Sequence, residues 1–434
     1  MADLIELSSR IIDSGVADEP VNRITQELSE LDDDLAIVES FSHSVVLRTD
    51  AGLVAFDASH SNTADAVTEA IAHWTPQPVT HLVYTHGHID HVGGSRSFAA
   101  RWGEPEVLGH ENVTTRFDRY TETNDWNILI NARQFGGIRQ DLGMGLNNRD
   151  DELDRWSNFL PAGTLRPSTV VGDRHRFTVG DEPIDLIHAR GETDDHLWAW
   201  LPERRTIMAG DFLIWNFPNA GNPQKVQRFP IEWAAALREM ATMEPELMVP
   251  AHGLPIAGRE RIAGVLDTVA STLETLVEQV MTMMNEGATL DEIVHSVRVP
   301  DETLAIPYLR PFYDEPEFVV RGVWRQFGGW WDGAASRLKP APDSAVGAAV
   351  AELAGGTSAL LERARAEADA GNLRLACHLA DFAGWAAPDD PDVHEARAAI
   401  YLTRRKHESS LMSKGIFAAA ARESEAVVNH VRDA

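Results

Sequence analysis

One ten-residue stretch constrains this chain more than any other: Thr85, His86, Gly87, His88, Ile89, Asp90, His91, Val92, Gly93 and Gly94. Three imidazoles and a carboxylate crowd together directly after the short apolar run from Thr80. These are the donors that zinc and related transition metals prefer. On a helix such close spacing would spread the side chains around the axis, whereas on a loop at a strand end they can converge. Gly87 lets the backbone pass close to a metal, and Gly93 with Gly94 lets a helix start tightly behind it. A chance histidine-rich loop is the alternative, and four donor-type residues in this pattern speak against it.

The first half alternates strands with helices. Ser44 to Thr49 and Gly52 to Asp57 read as adjacent strands around a turn at Asp50. Asn62 to Trp74 has helical spacing. Further strands are expected from Thr169, Ile184, His196, Thr206 and Glu246. Leu266, Val269, Leu273, Leu276, Val280 and Met283 then recur at helical spacing within one long helix, Ile262 to Met284. An aromatic stretch, Asp301 to Gly333, leads to a proline-containing linker at Leu338 and an alanine-rich helical remainder. One segment from Asp369 resembles a helical-repeat unit, but no second full copy follows, so a solenoid is not expected.

With 434 residues, the chain has room for two or three domains. Its single cysteine, Cys377, permits no internal disulfide and suits a reducing compartment. The start lacks a basic and apolar leader, and no run is long enough to span a membrane. A cytoplasmic location is therefore expected. The net charge of -29 argues against nucleic acid or an anionic membrane as partner.

The cluster resembles the His-x-His-x-Asp-His signature of metallo-β-lactamase-fold hydrolases. The resemblance implies an α/β chain: an αββα sandwich over 1–260, followed by an all-helical dimerisation domain over 261–434. It implies two Zn²⁺ per chain, with manganese or iron as alternatives, and further ligands at later strand ends. In that pattern His86, His88 and Glu192 hold one metal, Asp90, His91 and His252 the other, and Asp211 bridges them. Asp57, ending its strand, is then the expected acceptor that orients a ligand histidine.

Glu192 stands where most of the superfamily has histidine, as in the alkylsulfatase branch. The stretch Tyr308 to Ala334 resembles the dimerisation domain of that branch, which implies a homodimer. Three departures stand out. The bridging carboxylate is aspartate, the third-ligand turn reads Arg190, Gly191, Glu192, Thr193, Asp194, Asp195, His196, and the histidine that the branch places before an asparagine is Pro218, beside Asn219.

Two divalent ions bring four positive charges, which Asp90, Glu192, Asp211 and a bridging hydroxide neutralise. The hydroxide is the expected nucleophile, and an anionic ester should need additional cations. Arg190, Lys225 and Arg228 are the candidates, with Asn219 and Tyr120 as further substrate-binding residues. His196 is a candidate leaving-group acid, against the alternative of a structural histidine. Asn124 and Asn131, in an insert from Thr115 to Asp150, are candidate pocket residues. The expected substrate is a small-molecule alkyl sulfate or related ester; a carboxylic ester, lactone, β-lactam or phosphoester remains open. A non-enzymatic scaffold is the third reading, and the intact donor set opposes it.

Overall fold

The computed structural model describes residues 3–135 and 158–433. The described residues form two compact units: 3–128, 158–288 and 292–329 in one, and 129–135, 289–291 and 330–433 in the other.

The first unit contains two sheets. One runs in chain order: β1 (Leu28–Asp32), β2 (Leu35–Val38), β3 (Ser44–Thr49), β4 (Gly52–Phe56), β5 (Val79–Val83), β6 (Glu106–His110) and β7 (Thr169–Val171). Its first four strands are antiparallel and the rest parallel. The other holds β8 (Arg174–Val179), β9 (Glu182–His188), β10 (Leu197–Leu201), β11 (Thr206–Gly210), β12 (Leu247–Pro250) and β13 (Ile256–Ala257), also in chain order. With helices outside, this is the expected αββα sandwich. β4 and β11 are buried along their whole length and read as apolar runs rather than alternating patterns.

Helix Ala64–Trp74 covers the first sheet with Val67 and Ile71, which join Leu53, Leu82, Tyr84, Phe98 and Phe117 in one core cluster. The long helix begins at Arg259 and ends at Asn285. It lies against helix Pro230–Thr242, where Arg238 binds both oxygens of Glu274. The compact unit that carries the sandwich therefore continues beyond residue 260 and includes helix Pro316–Gly328. Gly221 packs on the start of that helix: a Cβ there would lie 2.2 Å from the backbone of Phe318 and Val319.

The second unit is helical, with Asp343–Ala354, Thr357–Asp369, Leu373–Ala386, Pro391–Lys406 and Leu411–Asp433 packed in succession. Asp390 caps the fourth of these by accepting from the Asp392 and Val393 N–H groups, with proline in the first turn. No single helix among the described residues is long and apolar enough to cross a membrane. Of the insert expected up to Asp150, helices Glu111–Glu122 and Asn124–Gln134 are described, and residues 136–150 lie outside the described residues.

Candidate metal centre

Each donor sits where a strand stops. β5 ends at Val83, and the chain then turns through His86 and His88 into the short helix Ile89–Val92. β9 and β10 are joined by the turn that carries Glu192; β11 runs into Asp211; β12 runs towards His252. Three overlapping sets of donor atoms result: His86, His88 and Glu192; His86, His91 and Asp211; and Asp90, His91 and His252. Within each set the atoms lie within 4.8 Å of one another.

The hydrogen bonds around these donors select which atom faces inwards. Asp57, at a left-handed φ of 61°, accepts from Thr85 N–H, Thr85 Oγ1 and His91 Nδ1, each at 2.7 Å. His91 thus donates from Nδ1 and turns the Nε2 lone pair towards Asp90 and Asp211, at 3.5 Å from each. Thr85 Oγ1 likewise takes His86 Nδ1 at 3.1 Å, leaving His86 Nε2 facing the cluster. His252 Nε2 stands 3.5 Å from Asp90 Oδ2 and from Asp211 Oδ1.

A divalent ion fits this set. His91 Nε2, Glu192 Oε2 and Asp211 Oδ1 are buried without a hydrogen-bond partner. Such orphans are costly in a protein and suitable as ligands for a cation, His91 and Asp211 in one donor set and Glu192 in another. Burial pushes the Glu192 carboxyl well above the usual carboxylate range, with Arg228 pulling against the rise and Asp211 adding to it. Positive charge is what the cluster lacks. Asp57→Asn should weaken metal binding about 10- to 100-fold, read by chelator competition; unchanged affinity would remove the orienting role.

Sequence comparison agrees with the geometry. The model of the metallo-β-lactamase superfamily matches residues 37–252, and that of the alkyl sulfatase dimerisation domain matches residues 289–426. The chain belongs to the metallo-β-lactamase superfamily. A linear primary-alkylsulfatase from Pseudomonas sp. (strain ATCC 19151) is 24% identical over 378 residues, covering 82% of this chain and 69% of the relative. An (R)-specific secondary-alkylsulfatase from Pseudomonas sp. is 25% identical over 374 residues, covering 82% of this chain and 56% of that one. The solved stereoselective inverting sec-alkylsulfatase from Pseudomonas sp. superposes with a TM-score of 0.79 at 22% identity, covering 92% of this chain and 66% of that chain. This chain thus spans little more than half of the second relative.

Within this superfamily member the other expected site residues are distributed unevenly. Asn219 Nδ2 donates to Glu192 Oε1, and Arg228 pairs with the same oxygen while donating to Asn219 O at 3.0 Å. Arg228 is therefore engaged by Glu192 rather than held free for an anion, and it offsets the charge that glutamate adds. Lys225 stands in the same loop, over the Phe159 ring. Arg190 is exposed and stacks on Phe229, 5.3 Å from its centroid, so it does not join the group. Tyr120 is 5% exposed and packs in the core cluster against Phe159, which makes it a core residue rather than a wall of the site. Asn124 Oδ1 caps the Phe159 N–H at 2.7 Å, and Asn131 belongs to the second unit.

His196, the candidate leaving-group acid, lies behind Asp211. Its Nε2 accepts the Asp211 N–H at 3.1 Å, its ring stacks on His86, and burial pushes its imidazole down to about 3. It positions Asp211 from behind, with its Nε2 occupied by the Asp211 N–H. Gly87 also serves a different purpose from the one expected. A Cβ there would meet Arg116 Cδ and Asp195 Oδ2, both at 2.9 Å, and its N–H donates to Asp195 at 3.0 Å.

Three supporting residues escaped the sequence reading. Arg116 sits on the buried face of its helix with Val113, Phe117 and Tyr120 and binds Asp195. A charge inside an apolar helical stripe was the available signal. His43 donates from Nε2 to Gly253 O at 2.8 Å, and its N–H donates to Ala251 O at 2.7 Å, so it clamps both sides of His252. Tyr313, in the aromatic stretch, lies in the electrostatic reach of Glu192, Asp90 and Arg228.

Proposed function

We propose that this chain is a dinuclear zinc hydrolase of alkyl sulfate or closely related esters, acting as a homodimer. The observation that carries the reading is the combination of the glutamate-containing donor cluster with the alkyl sulfatase dimerisation segment in one chain. His86, His88 and Glu192 would hold one ion, Asp90, His91 and His252 the other, with Asp211 between them. Bound ions supply a hydroxide nucleophile at neutral pH and stabilise charge on the attacked group. The chain's own residues supply alignment. Asp57 fixes the His91 ring, Arg228 with Asn219 fixes Glu192, and the Arg116–Asp195 pair fixes Gly87. The alkyl sulfatase dimerisation model over residues 289–426 supports a second copy as partner.

A second reading keeps the centre and changes the ester, because proline occupies the position before Asn219 where a proton-donating histidine was expected. A carboxylic ester, lactone, β-lactam or phosphoester is then the substrate. The test is a screen of zinc-, manganese- and iron-loaded protein against alkyl sulfates of several chain lengths and those rival esters. Chelator-sensitive sulfate release is expected. No sulfate release at any chain length, with turnover of a rival ester, would transfer the assignment to the second reading.

A further inference from the structure

Ester cleavage at this centre leaves one proton to be assigned, the one the departing alkoxide needs. Arg228 and Arg116 are locked onto carboxylates, and a guanidinium does not give up its proton. His196 lies behind Asp211. We infer that Lys225 is the general acid that protonates the departing oxygen, a role that rests on the ester-hydrolase reading above.

Lys225 lies in the loop between β11 and helix Pro230–Thr242, the loop that also brings Asn219 and Arg228 to Glu192. Its half-buried ammonium stands 5.7 Å from the centroid of Phe159. Among the described residues it makes no ion pair and no side-chain hydrogen bond. It is neither bonded to a metal-donor residue nor close to one in sequence.

The residue type is informative as well. Of 38 basic residues only Lys225, Lys339, Lys406 and Lys414 are lysines, so Lys225 is the sole lysine in the first 338 residues. Everywhere else in that stretch arginine supplies the positive charge. Arginine would hold an anionic ester with better geometry; what lysine adds is a proton that can leave. Burial and the neighbouring Arg228 push the Lys225 ammonium down to about 7, against the pull of Asp90 and Glu192 and with Arg119 adding to the fall. That range suits a donor at neutral pH.

A water-derived hydroxide forms a bond to the ester sulfur, and the bond from sulfur to the alkyl oxygen breaks with its electron pair on that oxygen. The Lys225 ammonium gives its proton to the oxygen, so alcohol and sulfate leave and the neutral amine is recharged by solvent.

The experiment uses the metal-loaded full chain with decyl sulfate, 4-nitrophenyl sulfate and the inert decyl sulfonate. Lys225→Met should lower kcat for decyl sulfate by about 100-fold or more, and for the aryl ester, whose leaving group needs little help, by about tenfold or less. Lys225→Arg should bind the sulfonate as tightly as the wild type in calorimetry and yet remain slow on decyl sulfate. Wild-type kcat for decyl sulfate should fall above about pH 7, and Lys225→Met should lack that limb. With four lysines, ¹³C-lysine labelling allows direct titration, and the Lys225 resonance should move near 7.

Equal losses on both esters, recovery of turnover by Lys225→Arg, or a Lys225 titration near the ordinary value of about 10.4 would each overturn the role. So would loss of the alkaline limb in His60→Gln, since His60 also faces Asp90 electrostatically. Should Lys225→Met fail to fold, Lys225→Arg and the titration decide. A wild type that releases no sulfate removes the ester reading and this role together; an active wild type with insensitive variants removes only the role.

Discussion

Asp90→Ala and His88→Ala should each reduce turnover by more than about 100-fold, beyond what loss of a merely supporting partner costs. The two substitutions strike different donor sets, His88 that of Glu192 and Asp90 that of His252. Both side chains are 19% exposed, whereas His86 and His91 are fully buried. Truncation at 88 or 90 therefore opens space towards solvent rather than a cavity in the core, and the fold should persist. Circular dichroism should match the wild type while metal analysis shows fewer ions per chain. Wild-type turnover in either variant would dissolve the proposed centre.

The second large effect is on stability. Arg116 is 3% exposed and Asp195 fully buried; the guanidinium reaches the carboxylate at 2.8 and 3.0 Å. Arg116→Met leaves that carboxylate without its cation and should cost about 3–5 kcal/mol, a large share of the roughly 5–15 kcal/mol typical of a folded domain. The sign of its pH dependence follows from Asp195. Burial would raise that carboxyl, but Arg116 prevails and holds it below its ordinary value. The stabilisation is thus fully present above the unfolded carboxylate pKa of about 3.9 and is lost as pH falls through the lower folded value. The gap between wild-type and variant urea midpoints should be wide at pH 7 and shrink below about pH 4. Replacing both residues, as Arg116→Met with Asp195→Leu, should recover much of the loss. An unchanged midpoint for Arg116→Met at pH 7 would refute the structural weight given to this pair.

Two strands that flank the centre were legible because they are largely buried and apolar: Thr206 to Ala209 and Leu247 to Pro250 announce themselves as runs. β1 was not, since it lies at a sheet edge with mixed polarity, and β8 alternates charged residues with half-buried ones. Arg190 and Arg228 looked equivalent as basic residues near the centre. Only their surroundings separate them, one stacked on Phe229 in solvent and the other buried on Glu192.

By itself the sequence determined that His86, His88, Asp90 and His91 form one local donor cluster, because close spacing after a strand needs no long-range information. It could name Glu192, Asp211 and His252 only through a resemblance. Their convergence depends on three separate strand ends reaching one edge of the sandwich, which spacing along the chain does not encode. Tertiary structure alone decided that Arg228 balances Glu192, that His196 backs Asp211, and that Lys225 stands over Phe159 apart from any ion pair among the described residues. Those outcomes depend on which charges share a dry volume, a property of packing in three dimensions.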